Sequence, residues 1–280
     1  MRRQLVKTIT DILERDSRTV LLLGDIGVFG FREAFKRFPT RVYNIGILEQ
    51  ASIGLAAGLA TEGMIPIFHT IAPFMVERVL EQLKVDFGYQ GLGGNLISVG
   101  ASYDYASLGC THHCPGDVQI LKTIPGMRIM VPGHPQEFDD LFRETYDKGL
   151  NYFRLSERSN ASPHNEYDGV VKIGNRATVI TIGPMLDRVV EACRTLDVTV
   201  LYHTTVAPFD DWIDLAGSII VVEPFYEGTL TYDVLKNKKA RILSIGVPRQ
   251  FLDSYGTRDD FDAKYGLTAA AIRERIKKFL

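Results

Sequence analysis

Glu49 is a carboxylate near the start of a mostly apolar segment of the chain. Glu49 lies in NIGILEQASIGLAAGLA (residues 44–60), where glycine, alanine, leucine and isoleucine predict a buried helix. A lone ionised carboxylate in an apolar interior is costly unless it takes a proton or finds a partner. Two interpretations remain open: Glu49 caps the helix N-terminus and gains from its dipole, or it binds a polar group of a ligand. Small residues along the helix would let a backbone or a ligand approach closely, namely Gly54, Ala57, Gly58 and Ala60.

A second cluster of reactive side chains is GCTHHCPGD, residues 109–117. Cysteine and histidine are ligands that zinc prefers, but the spacing C-x-H-H-C is too compact for an ordinary structural site, and no second cysteine pair follows. The segment comes after the apolar run NLISVG. Ligands of open α/β sheets bind at the carboxyl ends of strands. Adjacent histidines here are therefore either donors to a polar ligand or simply exposed.

Three further side chains could bind a ligand, each with an ordinary structural alternative. Phe74, which follows IPIFHTIAP, could offer its ring to a ligand, or it could be a core aromatic residue. Arg154 and Arg158, in NYFRLSERSN, could clamp a phosphate through paired N–H donors, or they could be surface arginines.

The elements that must position these residues are apolar strands alternating with helices. Short continuous apolar runs are typical of parallel strands covered on both faces, and they recur as TVLLLGDIG, RVYNIGI, IPIFHTI, NLISVG and MRIMVP. The polar, turn-rich residues 156–169 predict a linker, after which the alternation restarts with ATVITIG, VTVLYHT, SIIVVEP and ARILSIG. The pattern predicts two α/β domains, residues 1–160 and 170–280. Thr268 is the expected N-cap of a last amphipathic helix.

Composition narrows the class of protein. The chain has 280 residues, 24% of them charged, and a formal net charge of -2, which gives no sign of a nucleic-acid or membrane partner. The charged N-terminus has no signal-peptide core, and no apolar run approaches the roughly 20 residues that span a bilayer. We therefore expect a cytoplasmic protein whose three cysteines are reduced thiols.

Taken together and in this order, these segments resemble the C-terminal half of transketolase-like thiamine diphosphate enzymes. The matching runs are GDIG, FPTRVYNIGILEQASIGLAAGLATEGMIPIFHTIAPF, GCTHH, IPGMRIMVPGHPQE, TTVAPFD and VVEPFYEGTL, which together extend over essentially the whole chain. The resemblance implies two α/β/α three-layer domains, a pyrimidine-binding domain and then a transketolase C-terminal domain.

The resemblance also implies roles for individual residues around the cofactor. In that family the glutamate of the EQ motif hydrogen-bonds N1′ of the cofactor's aminopyrimidine and favours its imino tautomer, and Glu49 is in that position. Phe74 matches the aromatic residue that stacks on the aminopyrimidine. Asp25 and Ile26, in the GDIG loop, correspond to residues that line the cofactor's neighbourhood.

For the substrate, the resemblance implies a histidine, an arginine and one unusual position. His112 matches the histidine that hydrogen-bonds and exchanges protons with the substrate. Arg158 resembles the arginine that binds the sugar phosphate, and Arg154 is its rival because this chain reads LSERSN where transketolases have a shorter motif. Leu108 stands where the family has an aspartate that selects a hydroxylated donor. An apolar side chain cannot accept that hydrogen bond, so we expect a modified sugar or a donor without that hydroxyl.

The family's other domain, which holds the diphosphate through Mg²⁺, has no counterpart motif in this sequence. The resemblance therefore implies a partner subunit of the N-terminal transketolase type, a thiamine diphosphate site shared between the two chains, Mg²⁺ on the partner, and a heterotetramer. The expected activity is the transfer of a two-carbon ketol unit between sugars. Two alternatives stay open: the beta subunit of a 2-oxoacid dehydrogenase complex, and a non-catalytic scaffold subunit.

Overall fold

The computed structural model describes residues 1–164, 169–209, 217–236 and 239–280. Its first half alternates helices and strands. The elements are α1 Arg2–Arg15, β1 Thr19–Leu23, α2 Arg32–Arg37, β2 Val42–Asn44, α3 Glu49–Thr61, β3 Ile65–Ile71, α4 Ala72–Val76, α5 Leu80–Gln82, a π-helical segment Leu83–Tyr89, β4 Gly94–Val99, a 3₁₀ turn Cys110–His112, α6 Asp117–Leu121, β5 Arg128–Met130, α7 Pro135–Thr145 and β6 Leu150–Arg154.

The second half repeats the alternation with shorter helices. Its elements are β7 Gly169–Lys172, β8 Thr178–Ile182, a 3₁₀ turn Gly183–Met185, α8 Leu186–Cys193, β9 Thr199–His203, β10 Thr205–Ala207, β11 Gly217–Tyr226, α9 Thr231–Leu235, β12 Ala240–Val247, α10 Arg258–Lys264 and α11 Ala269–Phe279. Within the described ranges, no helix is both long and apolar enough to cross a membrane.

The strands form two mostly parallel sheets. The first has the order β10-β5-β6-β4-β3-β1-β2 and the second the order β12-β11-β8-β9-β7. Only β10 in the first sheet and β7 in the second run antiparallel to their neighbours among the described strands. The linker predicted over residues 156–169 leads into β7, which begins at its last residue, Gly169. Residues 165–168 lie outside the described part of the chain.

Each sheet is covered on both faces, which confirms the predicted α/β/α layers. Along β1, Val20 and Leu22 belong to one hydrophobic core with α3, whereas Leu21 and Leu23 belong to another with α1 and α7. Since successive side chains of a strand point to opposite faces, helices lie on both sides of this sheet. The second sheet is likewise sandwiched between the core that contains Ile180 and the core built on α8 and α11.

The two halves are joined through a strand as well as through the linker. β10, from the second half of the chain, pairs with β5 at the edge of the first sheet. This pairing satisfies the edge of β5 and ties the halves together. The domain limits at residues 160 and 170 stay a prediction.

The details of several elements test the sequence predictions. Thr268 does cap α11, since its hydroxyl accepts a hydrogen bond from the N–H of Ala271. Helix α3 differs from the prediction of complete burial: its first residue is buried, but one whole face is exposed, consisting of Gln50, Ala51, Gly54, Leu55 and Gly58. The small residues therefore do not share a single face, because Ala57 points into the core while Gly54 and Gly58 point outward.

Candidate active site

The segments that follow four strands, at the carboxyl edge of the first sheet, bring the predicted residues to one region. Asp25 follows β1, Glu49 follows β2, Phe74 follows β3, and His112 lies in the loop after β4. These strands are consecutive in the sheet, in the order β4-β3-β1-β2. Parallel strands end at the same edge. Residues that are distant in sequence therefore face one another there.

Glu49 is an interior carboxylate with only one of its oxygens paired. Its residue surface is 1% exposed. Oε2 accepts a hydrogen bond from Nη1 of Arg78 at 2.7 Å, whereas Oε1 is buried without a hydrogen-bond partner among the described residues. Helix α3 begins at Glu49 without a side-chain capping bond, so the carboxylate does not cap the helix by hydrogen bonding. A buried oxygen without a donor is costly, which points to a donor supplied by another molecule.

An aromatic residue and a histidine extend the contacts from Glu49. The guanidinium of Arg78 lies over the ring of Phe74, with its carbon 4.1 Å from the ring centroid. The rings of Phe74 and His112 meet edge to face with centroids 5.4 Å apart. Glu49, Arg78, Phe74 and His112 thus form one continuous cluster, and three of its four members are predicted site residues.

The neighbours of His112 in the T-H-H loop have different environments. Nδ1 of His112 lies 3.0 Å from the hydroxyl of Thr111. His113 is buried, packs its ring edge to face against Phe261, and lies with Nε2 3.3 Å from the carbonyl of Tyr105. Burial lowers the pKa of His113. His112 is thus the ring of the pair that faces Phe74.

The cysteines of the same segment diverge as well. Cys110 is exposed and Cys114 is buried, with its thiol donating to Oε1 of Glu77 at 3.5 Å. Throughout the described ranges, no group of three or more histidine, cysteine, aspartate or glutamate side chains could hold a metal ion.

Asp25 and Ile26 line a cavity of about 750 Å³ that Arg2 also lines; Arg2 lies over the ring of Tyr105, whose edge in turn meets the ring of His112. Asp25 adopts a left-handed backbone conformation with φ of 58°, which is uncommon outside glycine and concentrates at functional sites. Asn44 holds it there: the amide oxygen of Asn44 accepts from the N–H of Asp25 and its amide nitrogen donates to the carboxylate, both at 3.0 Å. The other charged or titratable side chains lining the cavity are Arg2, Arg3, Arg32 and His69. Three guanidinium groups favour an anionic occupant.

His69 is a buried histidine within β3 that is not among the predicted site residues. Its Nδ1 lies 2.8 Å from the carbonyl oxygen of Ile97. A carbonyl only accepts, so Nδ1 carries the proton and Nε2 keeps a lone pair. Burial lowers the pKa of His69 to about 4. A neutral imidazole therefore lines the cavity at physiological pH.

The buried His69 should make stability depend on pH. Its pKa is about 4 in the folded chain against an ordinary 6.5, so the unfolded chain binds one more proton between these values and stability falls as pH falls through this window. The expected loss is about 3 kcal/mol. Urea unfolding at several pH values should show this extra loss in the wild type relative to His69→Gln. Parallel pH dependences of the two proteins would contradict it.

The two arginines predicted to bind substrate lie at the junction of the two halves. Arg154 is 1% exposed; its Nε donates to Asp117 at 2.7 Å and its Nη2 to the hydroxyl of Ser102 at 2.7 Å. Arg158 forms ion pairs with Asp259 and Asp262 of α10, the latter at 2.6 Å.

Both guanidinium groups are engaged by carboxylates of this same chain. Within the described part of the chain, neither forms a hydrogen bond or an ion pair with Glu49, Phe74 or His112. Leu108 is half-exposed in the loop that carries His112. A substrate role for Arg154, Arg158 or Leu108 stays a prediction.

Two members of the site were not predicted, although the sequence holds a weak signal for each. Arg78 follows Phe74 by four residues, the spacing at which side chains meet on a helix. His69 is a polar residue inside the apolar run IPIFHTI, and polar residues that are buried need a partner. Neither signal identifies the hydrogen-bond partner, because Glu49, the partner of Arg78, and Ile97, the partner of His69, are remote in sequence.

Comparisons with known proteins give a consistent result. Residues 1–161 match the family model described as "Transketolase, pyrimidine binding domain". The chain is 41% identical over 288 residues to a protein of Rhodococcoides fascians described as an uncharacterized 33.6 kDa protein in the fasciation locus, covering 98% of this chain and 92% of that protein. It is 25% identical over 303 residues to an apulose-4-phosphate transketolase subunit of Phocaeicola vulgatus, covering 100% of this chain and 97% of that one.

Among solved structures, one described as "Split gene transketolase, inactive beta4 tetramer" superposes with a TM-score of 0.86. The match covers 100% of this chain and 97% of that chain at 23% sequence identity. It confirms the two-domain α/β architecture.

Proposed function

Because the chain belongs to the transketolase family through its pyrimidine-binding domain, we propose that it is one subunit of a split, thiamine diphosphate-dependent transketolase that transfers a two-carbon ketol unit between sugars. One observation supports this most strongly: the buried carboxylate of Glu49 keeps one oxygen without a donor, next to an aromatic ring and a histidine.

The residues around Glu49 suit the aminopyrimidine of thiamine diphosphate. Oε1 of Glu49 needs a hydrogen-bond donor, which a protonated ring nitrogen supplies. The half-buried ring of Phe74 can offer an apolar surface for stacking. When bound, the cofactor supplies the carbanion chemistry, and the protein binds and orients it. Glu49 would hold and release the proton at the ring nitrogen through a charge-assisted bond.

His112 is the group of this chain best placed to act on the substrate. Its ring touches Phe74 and is only partly buried. An imidazole can donate to a substrate oxygen and exchange its proton near neutral pH. We propose that His112 does so, and that the neighbouring cavity with its three guanidinium groups takes an anionic part of the substrate.

The proposal includes a partner subunit that holds the diphosphate and Mg²⁺. Large apolar side chains are exposed beside Glu49: Ile47 is 66% and Leu48 58% exposed. The exposed face of α3 continues this surface. Apolar patches of this kind mark protein interfaces, and the P. vulgatus relative is named as one subunit of a transketolase, which implies a second chain for that protein. The solved relative is described as a tetramer of beta chains, which supports self-association of this chain. The heterotetramer that we propose combines that self-association with the partner subunit.

The substrate we propose is a modified sugar. Leu108, in the His112 loop, cannot accept a hydrogen bond from a donor hydroxyl, and a site that lacks the acceptor gains nothing from the hydroxyl. The relative that acts on apulose-4-phosphate, by its name, supports the use of a sugar other than the ordinary ketoses.

Mixing this chain with its partner subunit, thiamine diphosphate and Mg²⁺ should give ketol transfer, whereas each chain alone should give none. The partner can be identified as a neighbouring gene product with the diphosphate-binding motif. Donors are compared by kcat/KM in a coupled assay. Turnover by this chain alone would overturn the shared site. Ordinary xylulose 5-phosphate as the best donor would overturn the proposal on Leu108, and an inactive mixture that binds no cofactor would overturn the function.

A further inference from the structure

Arg78 contacts both residues that would bind the pyrimidine, although it leaves Oε1 of Glu49 without a donor. Its Nη1 donates to Oε2 of Glu49 at 2.7 Å. Its guanidinium carbon lies 4.1 Å from the centroid of the Phe74 ring. A planar, delocalised cation is thus hydrogen-bonded to the buried carboxylate and placed on the aromatic face. An aminopyrimidine is also planar and nitrogen-rich; under the proposed function it would bond the free Oε1 of Glu49 and stack on the same face of Phe74.

The two partners in this ion pair differ sharply in their access to solvent. The side chain of Glu49 is 2% exposed, whereas that of Arg78 is 36% exposed. Leaving the buried carboxylate without any cation would be costly, so the ligand-free chain gains from this ion pair. Because the Arg78 side chain is partly exposed, it can turn toward solvent, whereas the carboxylate of Glu49 cannot. Arg78 also lies beyond the last residue of α4, Val76, where the backbone does not fix the side chain within a long helix.

We propose that Arg78 is a placeholder that closes the pyrimidine half-site until the cofactor displaces it. This inference rests on the proposed function and adds to it a competition between the guanidinium of Arg78 and the cofactor's pyrimidine ring. The ring of the cofactor cannot stack on the face of Phe74 that the guanidinium covers. Binding therefore includes the cost of moving the guanidinium off this face, and because the same group is bonded to Oε2 of Glu49, that movement also disrupts the ion pair. In the free subunit, Arg78 would stabilise the charge of Glu49. Its displacement would make cofactor binding weaker than in a site without Arg78.

The test is a binding titration on the isolated full-length chain. The probe is the cofactor's pyrimidine fragment, 4-amino-5-hydroxymethyl-2-methylpyrimidine, followed by ligand-observed NMR. Removing the competing cation in Arg78→Met should tighten the fragment's Kd by about tenfold, the size of a partly exposed ion pair together with a cation–ring contact. Arg78→Gln, a milder change, should shift Kd in the same direction. Glu49→Gln should abolish binding in both backgrounds.

A matched control is Arg241→Met. Arg241 also stacks on a phenylalanine, with its guanidinium carbon 4.6 Å from the ring centroid of Phe279, but it lies in the second half of the chain. Its removal should leave Kd unchanged. If Arg78 instead supports Glu49, then Arg78→Met will weaken binding, and an unchanged Kd would equally overturn the placeholder.

The titration separates this inference from the proposed function. Fragment binding that depends on Glu49 but is not tightened by either Arg78 variant overturns the placeholder alone. Binding that is the same in the wild type and in Glu49→Gln overturns both, as does the absence of binding in every variant. A thermal shift gives a second readout, because the fragment should raise the Tm of Arg78→Met more than that of the wild type at equal concentration.

Discussion

Replacing Glu49 by glutamine should reduce ketol transfer by the assembled complex by about 10²–10⁴-fold, the range expected when a proton-transfer group is removed. The amide has nearly the same size as the carboxylate, so packing at this 1% exposed position is preserved. It is neutral, however, and cannot accept a proton from a ring nitrogen. Turnover is measured with the partner subunit, thiamine diphosphate and Mg²⁺ at saturating donor.

A matched control lies at the other end of the same helix. Glu62 follows the last residue of α3 and is exposed, so Glu62→Gln changes the charge of the chain equally without touching the site. Its turnover should equal that of the wild type. Glu49→Asp, which keeps the carboxylate but retracts it, should recover part of the loss. Unchanged turnover in Glu49→Gln would remove Glu49 from the proposed reaction.

The residues that the sequence pattern could place are those tied to strand ends. Asp25, Glu49, Phe74 and His112 each follow a continuous apolar run, and such runs are readily assigned to parallel strands. The topology of an α/β sheet then brings their carboxyl ends together without any knowledge of side-chain packing. The resemblance to the family implied the grouping of Glu49, Phe74 and His112, and this topology accounts for it physically.

Strand β6 shows why other parts of the fold could not be predicted. Its sequence LNYFR contains Asn151 and Arg154, and polar residues argue against a strand that is buried on both faces. Both are paired by residues from elsewhere: the amide nitrogen of Asn151 donates to Asn95 at 3.1 Å and to the carbonyl of Thr145 at 2.9 Å. The compensation comes from tertiary contacts, which a local pattern does not contain.

The exposed face of α3 is the opposite case. Glycine, alanine and leucine predict burial, and Gly54, Leu55 and Gly58 are nevertheless exposed in the single chain. The apolar composition of α3 predicts that its surface is buried, but it does not indicate whether the same chain or another chain buries it. Under the proposed function, the partner subunit covers it. The prediction from composition and the exposure in the structure are then compatible.

Replacing Arg154 by methionine should destabilise the chain by about 3–5 kcal/mol, the cost of removing one partner of a buried ion pair. Asp117 is 0% exposed and, among the described residues, would keep as donors only the hydroxyl of Tyr152 at 2.9 Å and the N–H of Val118 at 3.0 Å. The bond from Arg154 to the carbonyl of Pro224, at 3.4 Å, would also be lost, and with it a link between the two halves.

Urea unfolding of the isolated chain distinguishes this structural role from the substrate role that the sequence suggests. The double variant Arg154→Met with Asp117→Asn should be less destabilised than Arg154→Met alone, because it leaves no uncompensated charge. Lys36→Met, which breaks the exposed pair with Glu33, should have little effect, since surface pairs contribute little. If Arg154→Met instead leaves the unfolding midpoint unchanged and raises KM for the donor in the complex, Arg154 binds substrate and its ion pair does not hold the halves together.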